Sequence, residues 1–441
     1  MIFSNKDLKK LIIPLVMEQA LAITVGMADT MMISSVGEAA VSGVSLVDMF
    51  NNLIISELAA LATGGAVVTS QFIGASKRED ACRSAKQLLW IDALITIVIS
   101  LLVIAGHRII LNLFFGKIEE DVMHNAIIYL MISALSFPFL AIYNACAALF
   151  RSMGNSGITL KVSILMNIIN VGGNAICLFG LKMGVAGVAV PSLLSRAVAG
   201  LCLYILLKNP DNLIYLGREH FRFEWKVIKK ILYIGIPSGI ENGIFQLGRV
   251  IVVSIIAGFG TSQIAANGVA NSLDSLGCIV GQAMNLAMIT VIGQCVGVGD
   301  LAQVKYYTKK LLLITYIATM IINSLILSFL HPILALYGLG DEARSLAYIL
   351  VMIHDGLAML LWPASFVLPN MLRACNDVKY TMIIAIFSMF TFRIGLSFVF
   401  GVHMGMGAVG VWTAMVVDWF FRVCCFVGGY FRGTWRKYCN L

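Results

Sequence analysis

Charged side chains are scarce in this chain of 441 residues. Only 12% of its residues are Asp, Glu, Lys or Arg, whereas 59% are hydrophobic and the mean hydropathy is +0.91. A soluble domain carries about 25% charged residues, so the composition excludes an ordinary soluble fold. The net charge of +8 does not indicate a nucleic-acid partner, because the basic residues are spread over many short loops.

Signatures of catalysis and of metal binding are also missing. The ten cysteines form no CxxC pair and mostly lie inside apolar runs, so we interpret them as small buried side chains. No HExxH, GxSxG or DxxD sequence occurs, and of the six histidines only His354 lies within an apolar run. We therefore predict that the chain is not an enzyme and has no cofactor.

What the sequence has in abundance is long apolar segments. Each is close to the roughly 20 residues that a helix needs to cross a bilayer. They cover residues 11–34, 39–72, 88–105, 125–148, 158–180, 184–207, 231–257, 262–296, 310–330, 345–370, 380–400 and 406–430. The second and the eighth are long, so we expect them to be tilted or to include a turn at the membrane surface. The first has no cleavage site for a signal peptide and is interpreted as a membrane helix. The predicted fold class is an all-α integral membrane protein with about 12 transmembrane helices.

The chain also repeats itself at an offset of about 223 residues. The matches include residues that chance would not favour in an apolar sequence: Pro14 with Pro237, Glu18 with Glu241, Gln71 with Gln294, Gly184 with Gly407 and, after a one-residue gap, Arg151 with Arg373. Because each half has an even number of crossings, both halves enter the membrane from the same side. We predict an N-terminal six-helix lobe at 1–210, a cytoplasmic linker at 211–230 and a C-terminal six-helix lobe at 231–441.

The distribution of basic residues predicts the orientation of these helices. With both termini inside, the inner loops and tails hold 23 Lys and Arg residues and the outer loops hold four. Under the positive-inside rule, this asymmetry places both termini in the cytoplasm. We therefore expect a multi-pass protein of the plasma (inner) membrane.

The duplicated motifs resemble those of the MATE family, the multidrug and toxic compound extrusion antiporters. "GMADTMMISSVGEAAVSG" and "FGTSQIAANGV" are similar to its first-helix signature, and "VVTSQFIGAS" and "TVIGQCVGVG" to its glutamine-glycine motif. "LFRSMGNSG" and "MLRACND" resemble its arginine-containing turn, and "GVAGVAV" and "GMGAVGV" its glycine-rich helix start. The motifs follow the family's order across nearly the whole chain.

The resemblance implies two six-helix lobes around a central cleft and a secondary active antiporter that works by alternating access. Such a protein exports organic, mostly cationic and lipophilic small molecules in exchange for protons or sodium ions. We expect it to act as a monomer in the lipid bilayer, with no nucleic-acid partner. The alternative is a flippase or exporter of lipid-linked or polar metabolites from the same superfamily, although the candidate residues of the cleft are mostly acidic and so favour cations.

Asp29 is the leading candidate for ion coupling. It matches the family's first-helix aspartate, and an ionisable group within a membrane helix usually faces a cavity or a partner. Its expected partners are Asn167, Asn170 and Asn174, which share one face of the fifth helix because they are three and four residues apart. A carboxylate with amide oxygens suits Na+, so Asp29 is also a candidate metal ligand, whereas a lone desolvated carboxylate suits a proton. The sequence leaves both ions open.

Four further residues are secondary candidates for substrate or proton binding. Glu18 lies 11 residues before Asp29 on the same helix face, and Glu241 is its repeat partner. In one branch of the family the acid of helix seven lies about one turn deeper, where this chain has Gln246. The nearest acid to that branch's tenth-helix aspartate is Asp355, beside His354.

The other charged residues in the apolar segments are expected to be structural. Arg422 follows Asp418 by four residues, which predicts an ion pair within one helix, and Arg393 is expected to reach Asp355 or Asp418. Asp92 is expected near the inner surface of the membrane.

Overall fold

The computed structural model describes residues 1–218 and 220–439, and its regular elements are helices. Twelve helical segments are long and apolar enough to cross a membrane, which confirms the predicted number. The α-helices are α1 (Asn5–Ser34), α2 (Glu38–Gly74), α3 (Arg78–Phe115), α4 (Glu120–Ser152), α5 (Ser156–Ala175), α6 (Ala186–Leu206), α7 (Trp225–Ala257), α8 (Thr261–Gly277), α9 (Ile279–Val298), α10 (Leu301–Ser328), α11 (Leu330–Leu336), α12 (Asp341–Trp362), α13 (Leu368–Ala374), α14 (Val378–Ser388) and α15 (Ala408–Arg432).

Several of these helices continue through wider π-helical turns. One such turn, Ile176–Gly180, extends α5, and another, Pro363–Val367, joins α12 to α13 in a single segment, Asp341–Ala374. Two more follow α14 and carry it to His403. Such turns occur often at functional sites, and three of the four lie in the second half of the chain.

The predicted eighth apolar segment is not one helix. It divides at Cys278 into α8 and α9. Asn323 of α10 explains the break, because its side-chain amide donates to the carbonyl of Gly277 at 3.3 Å. A Cβ on Gly277 would lie against the Asn323 oxygen, so a larger residue would require the Asn323 side chain to move. The predicted segment is long because it contains two consecutive helices, α8 and α9.

The N-terminal unit, Ser4–Gly239, is built around α4. This helix packs against α2, α3 and α6, and buried apolar side chains such as Val47, Leu130 and Phe137 fill the space between them. Small residues allow close contact, as in soluble and membrane bundles alike. A Cβ on Gly200 would lie 2.9 Å from the carbonyl oxygen of Phe139.

The C-terminal unit consists of Met1–Phe3 and Ile240–Leu441. In it α8 packs against α12, and α9 packs against α10. Gly281 of α9 lies directly against the Trp362 ring, where a Cβ would come within 2.0 Å of a ring carbon. The first residues of the chain are fixed to this unit, because the Tyr307 hydroxyl accepts a hydrogen bond from the Phe3 amide and donates one to its carbonyl.

The stretch that follows α6 is attached to α3 within the N-terminal unit. The Arg78 guanidinium donates to the carbonyls of Pro210, Asn212 and Leu213 at 2.8–3.0 Å. Further along, the Gln87 amide donates to the Arg222 carbonyl at 2.7 Å. These contacts order part of a hydrophilic segment that composition alone would leave undefined.

Candidate functional site

The carboxylate of Asp29 on α1 lies against two asparagines of α5. Asn174 donates to its Oδ1 at 2.8 Å, and Asn170 donates to its Oδ2 at 3.1 Å and to its Oδ1 at 3.4 Å. Asn167 is not part of this group, because its amide donates to Ser163 Oγ, one turn earlier on α5. The structure therefore brings together three of the four residues predicted for ion coupling.

Helix α6 packs against α5 at this site and orients one of the two asparagines, Asn170. Ser192 donates to the Oδ1 of Asn170 at 3.0 Å, so the NH2 group of that amide faces Asp29. The approach of α6 depends on Gly173, where a Cβ would lie 2.7 Å from the Pro191 side chain. The glycine between Asn170 and Asn174 thus sets the helix spacing that positions Asn170.

The site has the chemistry of a cation site. Asp29 is half-buried and, in residues 1–218 and 220–439, has amide donors but no salt-bridge partner. The Oδ1 atom of Asn174 is buried and, within the same residues, accepts no hydrogen bond. A cation bound by the Asp29 carboxylate could take this oxygen as a further ligand after rotation of the amide, and carboxylate and amide oxygens are ligands that Na+ accepts.

A second acid of the same unit, Asp48 on α2, is already satisfied. It accepts a hydrogen bond at 2.9 Å from the hydroxyl of Tyr129 on α4. Arg196 of α6 is close enough to interact electrostatically with both Asp29 and Asp48, and its guanidinium donates to Ser136 Oγ at 2.7 Å. The sequence analysis did not associate Arg196 or Asp48 with Asp29, because the three residues belong to different helices.

Glu18 is neutralised by an arginine. Its Oε1 lies 2.8 Å from Nη2 of Arg151, in a pair whose side chains are only 9% and 15% exposed. The hydroxyls of Tyr143 and Thr159 donate to the two Glu18 oxygens at 3.5 and 3.3 Å. This glutamate, on the same helix as Asp29, therefore carries no free negative charge.

Glu241 has the equivalent arrangement in the C-terminal unit. Its Oε1 lies 2.6 Å from Nη2 of Arg373 and 3.8 Å from Nη2 of Arg422. Glu18 and Glu241 are repeat partners, as are Arg151 and Arg373, so the ion pair itself is duplicated. Sequence comparison matched the glutamates and the arginines separately, and the missed signal was that an acid and a base repeat together.

The predicted pair between Arg422 and Asp418 is not a direct salt bridge among the described residues, although the two charges interact electrostatically. Arg422 donates to the Ser365 carbonyl at 3.4 Å and is directed to Glu241. Asp418 instead lies 3.8 Å from Arg393, which was one of the two partners expected for that arginine. Helical spacing allowed the first pair, but the nearby glutamate competes for the guanidinium.

Asp355 lies in a polar cluster at the interface of α8 and α12. Its Oδ1 is 2.8 Å from Nδ1 of His354, and both residues are almost fully buried. The other ring nitrogen, Nε2, is 2.5 Å from Oδ1 of Asp274. Gln246, on α7, is half-buried and is not among the hydrogen-bonded residues of this cluster.

Asp92, whose expected position near the inner membrane surface stays a prediction, is shielded from solvent. It is fully buried on α3, and in the part of the chain that the structure describes neither carboxylate oxygen has a hydrogen-bond partner. An unpaired charge at such a position would be very costly, because no hydrogen bond replaces its contacts with water.

Comparison with known proteins identifies the family. The MatE family profile matches residues 14–176 and 237–399, two segments that begin 223 residues apart and so confirm the repeat. The uncharacterized transporter YisQ of Bacillus subtilis is 26% identical over 414 residues, covering 92% of this chain and 89% of the relative. The probable multidrug resistance protein NorM of Thermotoga maritima is 25% identical over 444 residues, covering 98% and 93%.

Solved structures share the fold. An outward-facing multidrug resistance MATE family transporter of the MOP superfamily superposes with a TM-score of 0.91 at 20% identity, covering 98% of this chain and 96% of its own. A MOP superfamily transporter from Pyrococcus furiosus, whose pocket of reversed polarity suggests a different function, gives a TM-score of 0.90 at the same identity. With twelve candidate membrane spans and a profile match in both repeats, this chain belongs to the MatE family, the multidrug and toxic compound extrusion transporters.

Proposed function

We propose that this chain is a secondary active antiporter that exports organic cations in exchange for sodium ions or protons, with Asp29 as its coupling residue. The supporting observation is that Asp29 keeps an unneutralised carboxylate between two amides, whereas Glu18 and Glu241 are each paired with arginine. A carboxylate that has no direct salt bridge, with Arg196 acting on it only at a distance, can bind a cation from solution and release it again.

The coupling follows from competition for one negative charge. A proton or a sodium ion bound at Asp29 cancels the field that holds a lipophilic cation in the same lobe. At a few ångströms and an intermediate dielectric, such an interaction is worth a few kcal/mol, and each 1.4 kcal/mol changes affinity about tenfold. Asn170 and Asn174 hold the carboxylate, and Ser192 orients Asn170.

The wider assignment follows the sequence analysis. We propose that residues 1–210 and 231–441 act as the two lobes and that 211–230 is a cytoplasmic linker. The protein then works as a monomer in the plasma membrane with both termini in the cytoplasm, and it needs no cofactor. Glu18, Glu241 and Asp355 would contribute to substrate binding only when their present partners are exchanged, and Gln246 would contribute as a neutral polar group.

Transport by Asp29→Asn protein in proteoliposomes tests this proposal. Ethidium counterflow is measured with a sodium gradient and, separately, with a pH gradient. We expect the variant to lose gradient-driven transport, because Asn is close in volume but cannot bind either ion. Asp92→Asn, the same change at a buried acid outside the site, serves as the matched control and keeps transport. Wild-type rates for Asp29→Asn refute the coupling role.

The charge of the substrate is tested by binding. Tetraphenylphosphonium should bind and should lose affinity as the coupling ion is raised on the outer side. A size-matched lipophilic anion should not bind. If the anion is bound and moved while the cation is not, the proposal fails and the alternative, export of lipid-linked or polar metabolites, gains.

A further inference from the structure

We infer that Asp274, Cys278 and His354 form a binding site for a borderline divalent metal ion of the zinc class, separate from the site at Asp29. One ligand atom from each residue lies within 4.8 Å of the others. The Sγ of Cys278 is 3.3 Å from Oδ1 of Asp274, and that oxygen is 2.5 Å from Nε2 of His354. The three atoms thus converge on one point.

The end of α8 brings two of these ligands, Asp274 and Cys278, close together. Asp274 and Cys278 are four residues apart, so they lie on one face at the C-terminal end of α8, where the helix breaks. His354 comes from α12, the helix that packs against α8. A metal ion bound here would therefore join α8 to α12 within the C-terminal unit, just where α8 ends.

The imidazole is oriented as in known zinc sites. A histidine that binds zinc through one nitrogen commonly donates from the other to a carboxylate, which fixes its tautomer. Asp355 accepts from Nδ1 at 2.8 Å in this way. The rings of Trp412 and Trp419 pack edge-on against His354, with centroids 5.5 and 4.8 Å away, so the ring is held in place.

The remaining nitrogen, Nε2, is buried beside the carboxylate of Asp274. His354 is only 1% exposed, and its Nε2 lies 2.5 Å from Oδ1 of Asp274, a contact that a bound metal ion would replace. A tetrahedral metal with bonds of about 2.0–2.3 Å holds its ligand atoms about 3.3–3.6 Å apart. The Cys278–Asp274 distance already fits, and the His354–Asp274 distance needs to open by roughly 1 Å.

The ligand types select the ion. A thiolate does not suit Na+, Mg2+ or Ca2+, whereas one sulfur, one imidazole and one carboxylate suit Zn2+. Three protein ligands leave a fourth position, and Asp274, which is 27% exposed, provides the open side. Binding releases the Cys278 thiol proton, and any proton on Nε2, to solvent. The positive charge of Arg393 near Asp274 is offset by Asp418, 3.8 Å from that arginine.

Cobalt provides a direct test, because a thiolate bound to Co2+ gives a charge-transfer absorption that nitrogen and oxygen ligands do not. Full-length protein purified without a polyhistidine tag is titrated with Co2+. We expect one ion per chain, a thiolate-to-cobalt band, and displacement of the band by Zn2+. Cys278→Ser should remove the band. Cys295→Ser, a buried cysteine on α9, should keep it. The inference is overturned if the wild type gives no band or if Cys278→Ser retains it.

X-ray absorption on the zinc-loaded protein checks the ligand set without mutation. We expect one sulfur at about 2.3 Å together with nitrogen and oxygen at about 2.0–2.2 Å. A shell of nitrogen and oxygen alone contradicts the site.

The role of Asp355 as a positioning residue has its own readout. Asp355→Asn should weaken zinc binding by roughly 10–100-fold, as loss of such carboxylates does elsewhere, while the protein stays monodisperse in detergent. Asp92→Asn is the control and should leave zinc affinity unchanged. Equal zinc affinity in wild type and Asp355→Asn would exclude the proposed arrangement.

Discussion

The N-terminal unit holds its unneutralised acid, Asp29, between two asparagines, whereas the C-terminal unit surrounds His354 with Asp274 and Asp355. Both units nevertheless keep the same glutamate–arginine pair, Glu18 with Arg151 in one and Glu241 with Arg373 in the other. The pair recurs at the repeat offset, whereas the Asp29 group and the His354 group do not. This contrast separates a pair that both repeats share from the groups at which we propose ion binding.

The two ion pairs differ in whether a second arginine lies near the glutamate. We expect this difference to give the largest change in the free energy of unfolding. Arg151→Met leaves Glu18 buried with only the Tyr143 and Thr159 hydroxyls, whereas Arg373→Met leaves Glu241 within 3.8 Å of Arg422. Stranding a buried charge costs about 3–5 kcal/mol. We expect a loss of that size in the free energy of unfolding for Arg151→Met and a smaller loss for Arg373→Met.

Unfolding by denaturant in mixed micelles measures this difference. In the double variant Glu18→Gln/Arg151→Met the stranded charge is gone, so it should regain at least half of the lost stability. Equal losses in the two single variants would mean that Arg422 does not compensate.

The asparagines give the next effect and sharpen the definition of the N-terminal site. Asn174→Ala removes the shortest hydrogen bond to Asp29, whereas Asn167→Ala removes an amide that is bonded to Ser163. We expect the first change to raise the half-saturating concentration of the coupling ion about tenfold, which corresponds to about 1.4 kcal/mol. The second should leave it unaltered. Ion-dependent ethidium efflux in proteoliposomes measures both, and similar shifts would put Asn167 back into the site.

Replacing a buried acid by asparagine should change the free energy of unfolding differently according to whether the acid has a basic partner. Asp92 has no hydrogen-bond partner among the described residues, and Asp418 lies 3.8 Å from Arg393. Asp92→Asn should leave the free energy of unfolding unchanged or raise it by up to about 1 kcal/mol. Asp418→Asn should lower it, because Arg393 loses its counter-charge. Thermal unfolding in detergent distinguishes these outcomes, and a marked loss for Asp92→Asn would point to a partner beyond the described residues.

The smallest effect concerns the helix starts that correspond in the two repeats. Asp300 caps α10 by accepting from the backbone amides of Ala302 and Gln303, whereas Lys77 precedes α3 without a side-chain cap. The hydrogen bond from the Gln303 side chain, and then those from the backbone, hold the pKa of Asp300 below its ordinary value. The stabilisation is therefore present above the ordinary carboxyl pKa and is lost as the pH falls through the lowered one.

We expect Asp300→Ala to lower the melting temperature slightly at neutral pH and not in acid. Lys77→Ala should have no effect at either pH. A decrease for Asp300→Ala that persists in acid would show that the charge of the cap is unimportant.

The sequence predicted the fold well because length and hydropathy decide where a helix can span a membrane. It also predicted that Asp29 would meet asparagines of the fifth helix, since spacings of three and four residues place them on one face. The same spacing could not exclude Asn167. Three amides on one helix face cover about two turns, and a single carboxylate does not reach all of them. The break at Cys278 was hidden for another reason. It depends on Asn323, a residue distant in sequence that competes for a backbone carbonyl.

The cluster around His354 could not be predicted from the sequence either. His354 and Asp355 were noticed together because they are adjacent, but Asp274 and Cys278 come from the other side of a helix contact that no local pattern describes. The glutamate–arginine pairs were within reach, because both partners repeat at the same offset.

The duplicated glutamate–arginine pair also indicates when it arose relative to the gene duplication. Because Glu18–Arg151 and Glu241–Arg373 match across the repeat, the simplest history is that the pair existed before the gene doubled. The ancestral half-length protein then already had a buried salt bridge joining its first helix to the end of its fourth. The Asp29 group and the His354 group, which do not match, were acquired or kept by one copy alone after the doubling. Doubling therefore allowed each half to acquire its own polar groups, while a copy of the ancestral bridge was kept inside each half.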